Sequence, residues 1–174
     1  MLAYCVMPNH FHLLAKTTEP RQLSVFMQWF QLTHAKRWHR FRGSAGFGAV
    51  YQGRFHSVPV QNDAHFLVAA RYVERNPLRA NLVRRAEDWA WSSLGQRCRS
   101  LNAVTLTAWP ILPPLNWLDL VNDQRADQDV ARIRQSMREG MPFGSPAWTK
   151  QHSPPPRRKG RPPKQTAFDD LRLS

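Results

Sequence analysis

Cysteine, acidic residues and long apolar runs are all scarce in this chain of 174 residues. Only Cys5 and Cys98 are present, which excludes a disulfide framework of the kind that holds small secreted domains together. The N-terminus has no charged segment followed by an apolar core and a cleavage site, and no apolar run reaches the length of about 18 residues that a membrane span needs. We therefore expect a cytoplasmic protein with free thiols and no membrane partner.

The shortage of acidic residues leaves the chain strongly basic, with 25 Lys and Arg against 12 Asp and Glu and a formal net charge of +13. A surface of this sign suits a partner that is rich in phosphate. Seven Trp and nine Phe accompany the charge, and rings together with cations suit stacked bases. We predict a nucleic-acid partner and a nucleoid-associated location. Simple solubility is the alternative interpretation of the charge.

The stretch AYCVMPNHFHLL, near the start of the chain, is typical of a β-hairpin. Two runs of strand-prone residues flank the turn-forming pair Pro8-Asn9. Because residues i and i+2 of a strand share a face, His10 and His12 would present their imidazoles side by side while Phe11 points to the opposite face. A His-x-His pattern often arises by chance. The pair is therefore either a metal site that needs a third ligand from elsewhere or two rings that happen to share a strand.

Helical periodicity predicts two longer elements after the hairpin. Apolar residues recur at helical spacing over residues 21–41, which predicts an amphipathic helix. Asn62 and Asp63 offer an N-cap for a second helix. This helix is predicted to end near Asn76, because the following proline disfavours helical geometry in the residue before it.

The remaining elements are shorter or less regular. They are an irregular or edge strand over residues 50–60, a short helix over residues 78–83, a polar helix over residues 127–140 and a basic, proline-rich tail over residues 153–164. Together these patterns predict an α+β fold, in which helices pack on an antiparallel sheet.

Tyr72 and Asn76 are further candidates for chemistry. They stand at positions i and i+4, so a helix that persists to Asn76 brings a phenol and an amide oxygen to one face. Each residue also has a simpler interpretation. Tyr72 could be an ordinary half-buried tyrosine, and Asn76 could be the N-cap of a helix that begins at Pro77.

Four segments, in their order and spacing, resemble the REP-associated tyrosine transposases. These proteins are relatives of the insertion-sequence transposases within the HUH single-strand endonucleases. The segments are AYCVMPNHFHLL, YQGRF, RYVERNPLRANLV and EDWAWSSL, and the resemblance covers Ala3 to about Leu94. The later PFGSPAW and KGRPPK resemble the C-terminal part of one branch of the family.

The resemblance implies a ferredoxin-like HUH tyrosine-nuclease fold and a function. By similarity, His10, His12 and Asn76 hold Mg²⁺ or Mn²⁺, and Tyr72 is the nucleophile that cleaves single-stranded or hairpin DNA through a 5′-phosphotyrosine intermediate. A non-catalytic DNA-binding remnant or a domesticated repeat-binding protein is the main alternative, and a metal-dependent hydrolytic nuclease is a third. The predicted DNA-binding residues are basic and lie near the site or in the tail: Arg54, Arg71, Arg75, Arg79, Lys159, Arg161 and Lys164.

Three regions are predicted from these patterns. Residues 1–95 form the catalytic domain, residues 96–150 a helical extension, and residues 151–174 a basic tail that is disordered in isolation. Family members begin with a further strand and helix before the histidine hairpin, so the resemblance predicts a domain that is incomplete at its N-terminus. A start codon assigned too late and an inactive truncated copy are the two explanations. The family includes both monomers and homodimers, and either state is compatible with the sequence.

Overall fold

The protein is described by a computed structural model that covers residues 1–62, 64–100, 103–123 and 128–154. The structure is α+β, as predicted. Its sheet, within the described residues, has two antiparallel strands, β1 (Ala3–Val6) and β2 (Phe11–Leu14). The register pairs Cys5 with His12. The predicted hairpin is therefore confirmed to within a residue at each strand end.

Helices make up most of the remaining described chain. In chain order they are α1 (Pro20–Arg42), α2 (Ala64–Arg79), a short 3₁₀ helix (Ala86–Asp88), α3 (Ser93–Cys98), α4 (Trp117–Asn122), α5 (Gln128–Glu139) and α6 (Pro146–His152). The predicted amphipathic helix corresponds to α1 and the predicted polar helix to α5. No helix among the described residues combines the length and the apolar character that crossing a membrane requires.

Helix α2 differs from the prediction at its C-terminal end. It does not stop at Asn76 but continues through Pro77 to Arg79, so the separate helix predicted over residues 78–83 is absent from this described stretch. A proline inside a helix removes one backbone donor and crowds the carbonyl four residues before it. Here the Asn76 side chain donates to the Tyr72 carbonyl at 2.7 Å, which supplies a hydrogen bond next to the disturbed turn. The chain turns away only at Asn81, whose φ is 55°.

The segment over residues 50–60, predicted as an irregular or edge strand, is irregular and forms no strand beyond a single bridge. Only Val60 makes a bridge, with Phe143, and the rest of this segment is irregular. Gly53 and Pro59 interrupt it, and Pro59 lacks the N–H that a sheet ladder would need. Asp63, one of the two predicted caps of α2, lies outside the described residues, as do the tail residues beyond 154.

The EDWAWSSL segment covers the edge of β1 that faces away from β2. The Val6 N–H donates to the Trp91 carbonyl at 2.8 Å, and the Trp89 indole N–H donates to the Val6 carbonyl at 2.9 Å. The Tyr4 N–H donates to the Ser93 hydroxyl at 3.1 Å. These bonds satisfy strand groups that would otherwise be exposed at a sheet edge.

The core lies between the hairpin and α2, and it extends into the C-terminal helices. One cluster joins Cys5 and Met7 of the hairpin segment with Tyr72 of α2, Ile133 of α5 and Phe143. Residues from the predicted catalytic domain and from the predicted helical extension thus share one cluster. Consequently α2, which carries two of the candidate site residues, is packed on one side by β1 and β2 and on another by α4 and α5.

Candidate active site

His10 and His12 lie side by side, as the strand spacing predicts. Their ring centroids are 4.9 Å apart and the planes are nearly perpendicular, at 89°. The Nδ1 atom of His10 lies 2.7 Å from the Asn9 side-chain oxygen. A hydrogen bond of this kind orients the ring and leaves its Nε2 atom as the available ligand.

His12 carries a buried nitrogen that has no hydrogen-bond partner among the described residues. This atom is Nε2, and buried polar atoms of side chains are normally paired. Burial is the largest of three effects, with the neighbouring His10 and Arg134, that together lower the pKa of His12 to about 4. The ring is therefore neutral at neutral pH, which is the form that ligates a metal ion.

Tyr72 completes a contiguous group of three rings. Its ring centroid lies 5.3 Å from that of His12, at an interplanar angle of 80°. The hairpin and α2 therefore bring the two histidines and the candidate nucleophile together, although they are about 60 residues apart in the chain. Tyr72 is only 7 % exposed, and Ile133 of α5 belongs to the same buried cluster.

Asn76 is fully buried, one helical turn after Tyr72. The interpretation of Asn76 as the cap of a new helix is wrong, because α2 is continuous at this point. Its amide nitrogen donates to the Tyr72 carbonyl, and its amide oxygen accepts a hydrogen bond of 2.6 Å from an Arg79 guanidinium nitrogen. The oxygen that the resemblance assigns to a metal ion therefore contacts a cation of the protein itself.

The residues present fit a divalent metal ion only in part. The unpartnered His12 nitrogen and the oriented His10 ring are suitable ligands, whereas the third donor, Asn76, is engaged by Arg79. Among the described residues, no group of three or more His, Cys, Asp or Glu side chains could hold a metal ion. A site here would therefore depend on two imidazoles, an amide oxygen released from Arg79, and oxygens from water and substrate.

The predicted DNA-binding arginines occupy different environments. Arg71, Arg75 and Arg79 follow each other at every fourth position of α2 and line a small pocket of about 20 Å³ beside Tyr72. Arg71 also donates to the carbonyls of Leu120 and Asp123. Arg54 does not line this pocket, and it lies instead at a separate, larger cleft. Lys159, Arg161 and Lys164 lie outside the described residues.

Two neighbours of the site could not be found in the sequence. Ile133 packs into the cluster of Tyr72, and Arg134 acts electrostatically on His12. Both belong to α5, whose sequence is that of an ordinary polar helix. Only the tertiary packing of α5 on α2 brings them to the histidine strand.

Comparison with known proteins gives one match. The family model described as "Transposase IS200 like" matches residues 1–76, which include the hairpin, α1 and α2 as far as Asn76. Neither the curated proteins nor the solved structures that were searched include a match. The match ends at Asn76 and covers the part of the chain that carries His10, His12 and Tyr72. It supports a transposase family for this part of the chain. Such a family suggests a DNA-processing function and a DNA-cleaving activity.

Proposed function

We propose that this chain is a transposase-like, metal-dependent endonuclease and strand transferase of single-stranded DNA, of the REP-associated tyrosine type, which acts at hairpin-forming repeats. The observation that carries the proposal is the three-ring group of His10, His12 and Tyr72, in which one buried imidazole nitrogen has no partner among the described residues. The family match over the same residues supports a DNA substrate.

Tyr72 is the nucleophile in this proposal. Its phenol oxygen forms a bond to the phosphorus, and the bond from the phosphorus to the 3′ oxygen breaks. The phenol proton is lost and the 3′ oxygen leaves as a hydroxyl after it gains a proton. The product is a 5′-phosphotyrosine and a free 3′ end. Because the phosphodiester is retained as an ester of Tyr72, a second 3′-hydroxyl can reverse the step and join strands.

His10 and His12 are the proposed ligands of Mg²⁺ or Mn²⁺, with Asn76 as the third. A divalent ion bound there would withdraw charge from the phosphate, which otherwise repels a nucleophile. The protein's own contribution is to keep His12 neutral by burial, to orient His10 through Asn9, and to hold Tyr72 against the His12 ring.

A binding protein without catalysis is the second candidate function. The exposure of Tyr72 is only 7 %, and the amide oxygen of Asn76 already accepts from Arg79. Cleavage therefore requires Tyr72 to become accessible and Arg79 to release Asn76. A chain that does neither would bind DNA and leave it intact.

Separation on a denaturing gel distinguishes these functions. Purified protein would be incubated with Mn²⁺ and a labelled, hairpin-bearing single-stranded oligonucleotide taken from repeats that flank its own gene. We expect a covalent protein–DNA adduct that is lost with EDTA and in Tyr72→Phe. Tyr4→Phe is the matched control, since Tyr4 is also 7 % exposed and also loses one phenol hydroxyl, and it should retain the adduct.

Each other outcome identifies a different function. Binding without an adduct indicates the non-catalytic protein. Cleavage that persists in Tyr72→Phe indicates a hydrolytic nuclease in which water replaces the tyrosine. Both outcomes would contradict the proposed mechanism.

A further inference from the structure

A large cleft lies beside α1, away from the small pocket at Tyr72. Its volume is about 1070 Å³, and three parts of the chain line it: α1, the segment of residues 49–59, and the C-terminal end of α5 together with the residues around α6. Sites for small ligands usually measure about 300 to 1,000 Å³. This cleft lies at the upper end of that range, so its volume admits a short piece of a polymer.

The walls of the cleft combine apolar surface with cationic or ionisable groups. Leu32, Val50 and Phe55 are among the apolar lining residues, and Arg54 and His56 are exposed at the same cleft. Glu139 is the one acidic side chain in the described lining. Flat apolar surface accommodates bases, and a guanidinium group contacts phosphate.

The charge of the chain around the cleft indicates which kind of molecule binds there. From Pro20 to Asn62, which includes α1 and the segment after it, there are six Lys and Arg and no Asp or Glu. Helix α1 itself is mostly exposed, and Met27 is the one residue that is buried among those of α1 whose side chains are described. A second copy of this chain would place like charges against each other, whereas a polyanion would neutralise them.

Aromatic side chains on and after α1 strengthen the same conclusion. Outside the lining of the cleft, large rings are left on the surface of this part of the chain, with Trp29 61 % exposed, Phe41 84 % and Phe47 80 %. Exposed rings interspersed with cations are the usual composition of surfaces that bind single strands, because bases stack on the rings without any requirement for a particular sequence.

The cleft is connected to the candidate active site through β2. Phe11, which lies between the two histidines in sequence, makes an edge contact with Phe30 of α1 at 5.3 Å and with Tyr51 of the cleft at 6.3 Å. Tyr51 is in turn fixed by a hydrogen bond of 2.8 Å between its hydroxyl and His34 of α1. Residues 10–12, at the start of β2, thus carry the two histidines and support the cleft wall through Phe11.

We infer that the cleft between α1 and residues 49–59 binds unpaired nucleotides of the DNA substrate, at a site separate from the one that cleaves. This inference rests on the proposed function for the identity of the strand, and it assigns recognition to a surface that contributes none of the candidate catalytic residues. The apolar walls and the rings of Tyr51 and Phe55 receive bases, and Arg54 receives a phosphate.

The experiment measures binding without cleavage. Fluorescence anisotropy of a labelled, unstructured single-stranded DNA would be recorded in EDTA, for the wild type and for Arg54→Glu. The matched control is Arg84→Glu, because Arg84 is also exposed, lies outside the cleft and gives the same change of charge. We expect Arg54→Glu to weaken binding about tenfold at low salt and Arg84→Glu to weaken it less than about twofold.

A second pair of variants tests the cleft with almost no change in shape. Gln28 lines the cleft from α1, and Gln52 is exposed but does not line it. Gln28→Glu places a negative charge beside the strand and should weaken binding several-fold more than Gln52→Glu does. Thermal unfolding of all four variants should stay near that of the wild type.

Three results would overturn the inference. If the two variants of each pair lost the same amount of affinity for single-stranded DNA, the loss would reflect a general effect of charge. Competition by duplex DNA as strong as by the single strand would exclude recognition of unpaired bases. A change of molar mass in Arg54→Glu on sedimentation would show that the cleft joins two copies of the chain. A failure of the proposed function looks different, since the adduct would then be absent while binding retained the expected dependence on Arg54.

Discussion

Because Arg79 donates a hydrogen bond to Asn76, we predict that removing the Arg79 guanidinium will strengthen the binding of Mn²⁺. The guanidinium lies 2.6 Å from the amide oxygen that a metal ion would need, so it occupies one lone pair of that oxygen and its positive charge opposes a second cation there. We expect Arg79→Met, which keeps an unbranched apolar stem and removes the charge, to bind Mn²⁺ more tightly than the wild type.

The size of the effect follows from that contact. A hydrogen bond to a charged group contributes about 1.5 to 3 kcal/mol, and the lower value applies because the Arg79 side chain is only partly buried. Since about 1.4 kcal/mol corresponds to a factor of ten, Mn²⁺ affinity should rise about tenfold. Repulsion between the guanidinium and the metal ion adds to this gain, and it is weakened by solvent.

Mn²⁺ titration followed by electron paramagnetic resonance measures this affinity without any DNA. Arg79→Met would be compared with wild type in two backgrounds, with Asn76 intact and with Asn76→Ala. If Arg79 acts by occupying the amide oxygen, most of the gain disappears in the Asn76→Ala background. Arg84→Met controls for the loss of one positive charge elsewhere.

The reasoning is refuted if Arg79→Met leaves Mn²⁺ affinity unchanged, or if it gives the same gain with and without Asn76. His12→Ala provides the reference for the site itself. Were it to bind Mn²⁺ as well as the wild type does, the ion would lie elsewhere and the comparison would not concern this site.

Three further results are expected from the same structure. Because the pKa of His12 is lowered from 6.5 to about 4, the unfolded chain takes up the proton before the folded chain does as the pH falls. The free energy of unfolding should therefore drop by up to about 3 kcal/mol between pH 6.5 and pH 4. Urea titrations at the two pH values should show a smaller drop for His12→Asn than for the wild type. Ile133→Ala removes a buried side chain from the cluster of Tyr72 and should lower the free energy of unfolding by about 2 kcal/mol or more. Gel assays of this variant should show faster formation of the covalent adduct. Slower formation in a folded variant would mean that α5 belongs to the productive site. Glu74 is a fully buried carboxylate that accepts hydrogen bonds from several donors, including the Arg97 guanidinium. Glu74→Ala leaves these donors without their acceptor and should lower the free energy of unfolding, measured by chemical denaturation, by about 3 kcal/mol or more. A loss below about 1 kcal/mol would show that water satisfies these donors.

Local patterns account for the correctly predicted hairpin and for the placement of its two histidines side by side. The positions of His10 and His12 depend on the two-residue period of a strand, and Pro8-Asn9 fixes where the strand begins. The long apolar periodicity of α1 is likewise a property of consecutive residues. Such features need no knowledge of what packs against them, so composition and spacing were sufficient.

The errors have a different origin. The prediction that α2 ends at Asn76 relied on the average behaviour of residues before proline, and it neglected that the surrounding core holds the last turn in place. Pro77 is fully buried there. The strand expected over residues 50–60 needed a partner ladder, which the described residues supply only at Val60. The covering of Tyr72 by α5 depends on contacts between residues about 60 positions apart, which no periodicity encodes.

The continuation of α2 through Pro77 matters for the chemistry as well as for the fold. Residues at i, i+4 and i+7 of one helix share a face, so Tyr72, Asn76 and Arg79 are neighbours only because the helix persists to Arg79. Had it ended at Asn76, the guanidinium would have no fixed relation to the amide or to the Tyr72 ring, which it approaches to 5.8 Å. The same turn that presents the proposed nucleophile and the proposed amide ligand therefore also presents a cation that contacts that amide. If Asn76 binds a metal ion as proposed, that ion would compete with Arg79 for the amide oxygen, and the guanidinium would stay beside the Tyr72 ring.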